Sequence, residues 1–286
     1  MTYTTYEDLS NCIRRNVWKV PADVDLIVGV PRSGMIPALM LAELMNKRCA
    51  DLDTFLDGRE MSCGGRASLM RRGTPGKVLI VDDTVYGGTA MAMARERLAP
   101  LGDRYDFIFC CIYAEGRQAK EKVDIWFHDI WKPGEKNWLY EWNVLHHYNK
   151  KTESAMWDID GLLCKDPPDD RDTEAYEAYL PDATPMVIPT TKVGALVTYR
   201  LEKYRTITEE WLQRHGIEYG SLLMFNAPTR EERNSRLSPA RYKAQLYDAA
   251  PWAKVFYESE ARQASRIHQL TGKPVFCYET GQMLIK

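Results

Sequence analysis

Two short stretches place carboxylates where the chain turns, and both carry residue types suited to phosphate chemistry. Residues 78–91 read VLIVDDTVYGGTAM. An apolar run meets Asp82 and Asp83, then turns through Thr84, Tyr86, Gly87, Gly88 and Thr89 before a helical pattern begins. That turn offers backbone N–H groups, hydroxyls and a helix N-terminus, all of which favour an anion. The aspartates cannot grip the same anion, because like charges repel; they suit neutral hydroxyls or Mg²⁺. A ligand with a phosphate at one end and a diol beside it meets both demands, and ribose 5-phosphate has that shape. Residues 157–163 read WDIDGLL. Asp158 and Asp160 stand two apart at a strand end where the chain turns at Gly161, so both carboxylates can approach one cation. Such a pair suits a nucleophile with an acid/base beside it.

The elements that must hold these groups follow an α/β pattern, in which short apolar runs alternate with helical periodicity. DLIVGV (25–30), VLIV (78–81) and YDFIFCCIY (105–113) read as strands. MIPALMLAELMN (35–46) reads as a buried helix, and MAMARERLAPLG (91–102) as a helix ended by Gly102. Between them, residues 58–76 are rich in Gly and Arg with little periodicity, and a loop that long inside a domain is usually functional. The polar stretch 144–153 marks a boundary, giving domains 1–149 and 150–286. The pattern then restarts. SAMWDIDGLL (154–163) reads as strand plus loop, and VGALVTYR (193–200) as strand plus turn. ITEEWLQRHGI (207–217) reads as a helix capped by Thr206 or Thr208. AKVFYESE (253–260) and KPVFCY (273–278) read as strands, the first ending in acids. No internal repeat or low-complexity segment interrupts this organisation.

Composition narrows the classes. The chain has 286 residues, 45% hydrophobic and 27% charged, with a net charge of −2. That is globular composition without the basic footprint of nonspecific nucleic-acid binding. No apolar run approaches the ~20 residues that cross a bilayer. The first residues lack the apolar core of a signal peptide. Seven scattered cysteines, with no CxxC pair, read as reduced thiols of a cytoplasmic protein.

VLIVDDTVYGGTA resembles the phosphoribosyl-diphosphate (PRPP) signature of type I phosphoribosyltransferases. The resemblance implies that Asp82 and Asp83 bind the ribose hydroxyls, and that Thr84, Tyr86, Gly87, Gly88 and Thr89 wrap the 5-phosphate. VGVPRSGMIPA (28–38) is similar to the family's pyrophosphate loop, with Pro31, Arg32, Ser33 and Gly34 in the loop itself. Such loops often carry a non-proline cis peptide. The stretch 58–76 lies where the family has a flexible catalytic loop, which makes Arg66, Arg71 and Arg72 candidate pyrophosphate contacts. The implied reaction releases pyrophosphate from C1 of the ribose with Mg²⁺ and adds an acceptor. The family's acceptor hood corresponds to residues 124–143 here. Trp126, Trp131, Trp138, Tyr140 and Trp142 could stack on a flat heterocycle, although each singly reads better as ordinary packing. The family also suggests a homodimer.

WDIDGLL resembles motif I of the haloacid dehalogenase (HAD) superfamily. The resemblance implies that Asp158 attacks phosphorus, while Asp160 protonates the leaving oxygen and supplies a backbone carbonyl to Mg²⁺. ALVTYR (195–200) matches motif II with Thr198 as a phosphate donor, and RYKAQLY (241–247) offers Lys243 as the neutralising cation. FYESEARQA (256–264) takes the place of motif IV, where Glu258 and Glu260 replace the usual aspartates and either could serve the metal. The expected metal set is thus Asp158, Asp160, Glu258 and Glu260. The intervening stretch 165–185 is too short for a large cap, and its acid-rich part, DPPDDRD (166–172), reads as a solvated loop.

The fold expectation is two α/β domains, each a mainly parallel sheet flanked by helices: a type I phosphoribosyltransferase fold, then a HAD Rossmann-like fold with a small cap. The expected function is bifunctional: transfer of ribose 5-phosphate from PRPP to an unidentified acceptor, then dephosphorylation of that product as a phosphomonoester. The alternatives are a PRPP- or nucleotide-binding regulator, and a HAD phosphatase acting on nucleotide or polynucleotide ends. The acidic balance makes nucleic acid an unlikely partner, and no membrane partner is expected.

Overall fold

Both halves of the chain build a parallel sheet whose strands alternate with helices. The computed structural model describes residues 1–61, 65, 75–132, 138–146, 151–168 and 173–285. Arg66, Arg71 and Arg72 therefore lie outside the described residues, as do residues 169–172 of the acid-rich stretch. The chain divides into two compact units, Thr2–Trp142 and Asn143–Lys286. Among the described residues no helix is long and apolar enough to cross a membrane.

The N-terminal unit contains β1 (Thr2–Thr4), β2 (Leu26–Gly29), β3 (Arg48–Asp51), β4 (Lys77–Val85), β5 (Asp106–Ala114), β6 (Ile125–Asp129) and β7 (Trp138–Tyr140). Its helices are α1 (Tyr6–Asn16), α2 (Met35–Met45), α3 (Leu52–Leu56), α4 (Thr89–Leu98) and α5 (Gly116–Lys120). The main sheet runs β3-β2-β4-β5-β6 with every pairing parallel, and β1 pairs separately with β7. Parallel strands buried on both faces read as continuous apolar runs, which explains LIV and VLIV. Leu79, Val81 and Cys110 join one core with Leu9, Ile13, Ala38 and Leu41 of α1 and α2. Val78, Ile80 and Cys111 join the other with Leu52, Met91, Ala94 and Ala119. The adjacent cysteines thus serve opposite faces of one strand, as the pleat requires.

Two expectations are corrected in this unit. The strand expected to stop at Val81 continues to Val85, because Asp82, Thr84 and Val85 keep pairing with Cys111, Tyr113 and Ala114 of β5. The acidic pair therefore stands within the carboxyl end of the central strand β4 rather than in a loop after it. Helix α2 is not buried all round. Pro37, Ala38, Leu41 and Ala42 face the core, while Leu39 and Leu44 are exposed in the chain.

The C-terminal unit contains β8 (Ala155–Trp157), β9 (Val193–Leu201), β10 (Tyr219–Phe225), β11 (Val255–Glu258), β12 (Val275–Cys277) and β13 (Gln282–Leu284). Its helices are α6 (Glu174–Tyr179), α7 (Arg205–Arg214), α8 (Arg230–Arg236), α9 (Pro239–Asp248) and α10 (Ala261–Thr271). The sheet order is β10-β9-β8-β11-β12-β13, parallel except for the antiparallel β12–β13 pair. Alanines 240, 244 and 264 with Tyr247 and Ile267 pack α9 and α10 closely onto one face. Helix α7 begins at Arg205, with Tyr204 at the cap position and no side-chain cap. Thr206 and Thr208 are inside the helix, and Thr208 is fully buried because its hydroxyl meets Arg200.

Candidate active sites

In the N-terminal unit the carboxyl end of β4 meets the loop that joins β2 to α2. Gly34 is what allows the approach. A Cβ there would lie 2.5 Å from the Val30 carbonyl oxygen and 2.7 Å from that of Val81. The loop is tied further by Val30 N–H donating to the Val81 carbonyl at 2.8 Å, and its Pro31–Arg32 peptide is cis. Pro31 and Arg32 are exposed beside this contact.

Asp82 and Asp83 are both buried. Asp83 Oδ1 accepts the Ser33 hydroxyl at 2.9 Å and the Thr84 N–H at 2.8 Å, and its Oδ2 accepts the Trp142 indole N–H at 2.7 Å. Ser33 and Trp142 thus hold Asp83 in place from two other segments. Asp82 accepts the N–H of Asp83 at 2.9 Å. Burial, and then the charge of Asp83, push the Asp82 carboxyl well above the ordinary range. Beyond the pair, Tyr86 is 72% exposed, Gly87 is exposed, and Gly88 takes φ +76° just before α4 begins at Thr89. A side chain at Gly88 would meet both a left-handed backbone and the Lys122 stem at 2.8 Å.

The aromatic residues expected over the acceptor divide into two groups. Trp138 and Tyr140 are buried, and Trp142 stacks on Tyr140 with centroids 4.9 Å apart. Their faces are taken by neighbours, which makes them packing residues. Trp126 and Trp131 remain 38% and 56% exposed.

In the C-terminal unit, three neighbouring strands deliver one cluster. Asp158 follows β8, Thr198 lies in β9, and Glu258 ends β11; Lys243 reaches in from α9. The Lys243 ammonium donates to Asp158 Oδ2 at 2.8 Å and to Glu258 Oε2 at 2.8 Å, and further to Gln263 Oε1 at 3.2 Å. All three ionisable side chains are almost fully buried. Ser259 donates its hydroxyl to Asp158 Oδ2 at 3.1 Å and to Glu258 Oε1 at 3.1 Å. Burial disfavours the ammonium, but Asp158 and Glu258 overcome that and hold Lys243 above its ordinary pKa. Burial and then Glu258 raise Asp158, against the opposing pull of Lys243. Two buried carboxylates with one ammonium leave an excess of negative charge, which a divalent cation would relieve.

Asp160 is arranged differently. Its carboxylate receives Arg200 Nε at 3.2 and 3.0 Å and Nη2 at 2.6 Å. Its Oδ2 also lies 3.4 Å from the Thr198 hydroxyl, which is completely buried and accepts the Arg200 N–H at 3.1 Å. Gly161 has φ +76°, and a Cβ there would come within 2.7 Å of Ser259 Cβ, so the turn after Asp160 needs glycine.

Among the described residues no group of three or more His, Cys, Asp or Glu forms a metal-binding cluster, so the side chains of Asp158, Asp160, Glu258 and Glu260 do not gather at one point. Asp160 turns its side chain to Arg200, and Glu260 is exposed and accepts Gln263 Nε2 at 2.8 Å. Asp158 and Glu258 share the Lys243 ammonium. Mg²⁺ is commonly held by one or two carboxylates and keeps several waters, so these two fit it. Asp166, expected to be solvated, is exposed yet close; burial and then Asp160 raise its carboxyl.

Sequence reading passed over Ser33 and Trp142 as supports of Asp83, and over Arg200, Ser259 and Gln263. For Arg200 a signal existed: Thr198 and Arg200 are two apart in a strand and so share a face. Trp142 had none, because its contact with Asp83 spans 59 residues.

No protein-family model matches the sequence, and no curated protein matches it. Solved structures do match about half of the chain. A purine phosphoribosyltransferase from Pyrococcus horikoshii is 20% identical over 49% of this chain and 92% of its own, with a TM-score of 0.36. A xanthine-guanine-hypoxanthine phosphoribosyltransferase from Helicobacter pylori is 17% identical over 50% and 91%, with a TM-score of 0.35. An orotate phosphoribosyltransferase from Aeropyrum pernix is 19% identical over 44% and 70%, with a TM-score of 0.33. At such identities and TM-scores the likeness carries neither activity nor substrate to this chain.

Proposed function

We propose that the chain is a bifunctional enzyme of phosphoribosyl transfer and phosphomonoester hydrolysis. The observation that carries the hydrolytic half of the proposal is the Lys243 ammonium set 2.8 Å from both Asp158 and Glu258 at adjoining ends of parallel strands. The sheet order, with β8 central and the four motif-bearing segments converging on one edge, supports the HAD reading. In that reading an Asp158 oxygen bonds to phosphorus as the bond to the leaving oxygen breaks. The proton of Asp160 passes to that oxygen. A water then attacks phosphorus, returns a proton to Asp160 and frees Asp158 with release of phosphate. Thr198 contributes a donor beside Asp160, and Lys243 neutralises charge on Asp158 as the phosphoryl group arrives. Mg²⁺, held by Asp158 and Glu258 with the Asp160 carbonyl, would supply electrostatic neutralisation of the transferring phosphoryl group.

The N-terminal unit supports PRPP binding through its loop 31–34 packed against the β4 end and through the exposed Tyr86–Thr89 turn before α4. In this reading Asp82 and Asp83 take the ribose hydroxyls, Pro31, Arg32, Ser33 and Gly34 the pyrophosphate, and Thr84, Tyr86, Gly87, Gly88 and Thr89 the 5-phosphate. Catalysis there is positioning and charge neutralisation, with no protein nucleophile. The simplest use of both activities is sequential, with the phosphatase acting on the phosphoribosyl product. Asp158→Asn protein incubated with PRPP, Mg²⁺ and a small-molecule cell extract is expected to accumulate a phosphoribosylated species by mass spectrometry. Wild-type protein should yield the same species without phosphate. PRPP that binds but is never consumed would replace the transferase reading with that of a regulator.

A further inference from the structure

The proposed proton donor is held by a residue to which neither resemblance gives a role, Arg200 at the end of ALVTYR. Arg200 is 2% exposed, and the whole of its guanidinium is committed. Nε and Nη2 grip Asp160 side-on at 2.6 to 3.2 Å, Nη1 meets the Thr208 hydroxyl at 3.3 Å, and Nη2 also touches Cys164 Sγ at 3.4 Å. A planar fork of this kind fixes a carboxylate in direction as well as in place. Asp160 itself keeps 22% of its side chain exposed, so the grip is closed on the protein side and open on the other. Nη2 holds Oδ1, which also faces Cys164 at 3.7 Å, and Nε holds Oδ2 at 3.0 Å on the side of Thr198. A lysine could supply the charge but not the two-point hold that fixes both oxygens in one plane.

We infer that Arg200 is the positioning residue of the phosphatase centre, fixing the orientation of the Asp160 carboxyl that serves the leaving oxygen. The inference rests on the phosphatase reading and adds the residue that aims its acid. Arg200 is assigned no contact with substrate. Its effect passes through Asp160, and Thr208 steadies it from α7.

A simple structural role predicts that loss of Arg200 harms every substrate alike. A role in aiming the acid does not, because a phenolate that is already stable as an anion leaves without a proton, whereas an alkoxide does not. Full-length wild type, Arg200→Lys, Arg200→Gln, Thr208→Val and Asp160→Asn are therefore assayed with Mg²⁺ on ribose 5-phosphate and on p-nitrophenyl phosphate. Thermal melts confirm that each variant is folded. For Arg200→Gln the expected fall in kcat on ribose 5-phosphate is about 100-fold or more, with less than about ten-fold on p-nitrophenyl phosphate. Arg200→Lys should show the same split in a protein that keeps the buried charge, and it carries the test if Arg200→Gln does not fold. Thr208→Val should show a weaker split. Asp160→Asn should reproduce the split, and adding Arg200→Lys to it should cost nothing further on the alkyl ester. Equal losses on both esters in folded Arg200→Lys, or additive losses in the double variant, overturn the assignment of Arg200 while leaving the phosphatase reading standing. A wild-type protein that hydrolyses neither ester overturns the phosphatase reading and this inference with it.

Discussion

Asp82–Asp83 and Asp158–Glu258 are both buried acidic pairs at the carboxyl ends of parallel strands, yet the chain treats their charge in opposite ways. In the C-terminal unit the counter-charge is built in: Lys243 stands between Asp158 and Glu258, and Arg200 holds Asp160. In the N-terminal unit the hydrogen bonds to Asp83 come from neutral groups among the described residues, namely the Ser33 hydroxyl, the Trp142 indole and the Thr84 amide. Neutral donors orient a carboxylate without cancelling its charge. The acids of the C-terminal unit are thus balanced by the chain's own cations. In the N-terminal unit those donors orient Asp83 without supplying a counter-charge.

Three variants sharpen that contrast. Lys243→Met should have the largest effect, since removing one partner of a buried ion pair costs about 3–5 kcal/mol. Chemical denaturation should show the loss, and Mg²⁺ should restore part of it; an unchanged midpoint would mean that the two carboxylates do not depend on Lys243. Trp142→Phe should cost about 1.5–3 kcal/mol, the range for a hydrogen bond to a charged group, and should weaken PRPP binding by calorimetry. A variant as stable as wild type would show that Asp83 finds another donor.

Asp82→Asn should have the smallest effect, and its sign depends on pH. The folded Asp82 carboxyl is raised above its ordinary value by burial and then by Asp83. Its contribution to stability is fully present below the unfolded value of about 3.9 and is lost as pH rises toward the folded one. Asparagine has no such dependence. The variant should melt close to wild type near pH 4 and above it by a few degrees at pH 7 without Mg²⁺. A difference that shrinks as pH rises would mean that Asp82 is stabilised as the anion.

Much of this architecture is legible in short stretches. Continuous runs such as VLIV and DLIVGV mark doubly buried strands, and Gly88 and Gly161 sit where positive φ is required. The extension of β4 through Asp82 and Thr84 was not legible, because a strand that carries acids inside the sheet looks like a loop until its pairing with β5 is known. The helix start at Arg205 was hidden for a related reason. Thr206 and Thr208 have the chemistry of caps, but Thr208 is drawn inward by Arg200 from another element.

The amino-acid sequence alone determined the alternation of strands and helices, the glycines at the turns, and the types of residue available at each acidic pair. These depend on local backbone geometry and on the two periodicities of side-chain direction, which are properties of neighbouring residues. Tertiary structure decided which of those residues meet. It brought Lys243 to Asp158 across 85 residues and Trp142 to Asp83 across 59, and it sent Glu258 into the cluster while leaving Glu260 outside. Glu258 closes β11 and faces inward, whereas Glu260 stands at the start of α10, exposed and bound to Gln263. Two glutamates with the same side chain thereby acquire different roles. Packing of distant elements settles which charges are buried together, and no rule of local spacing contains that information.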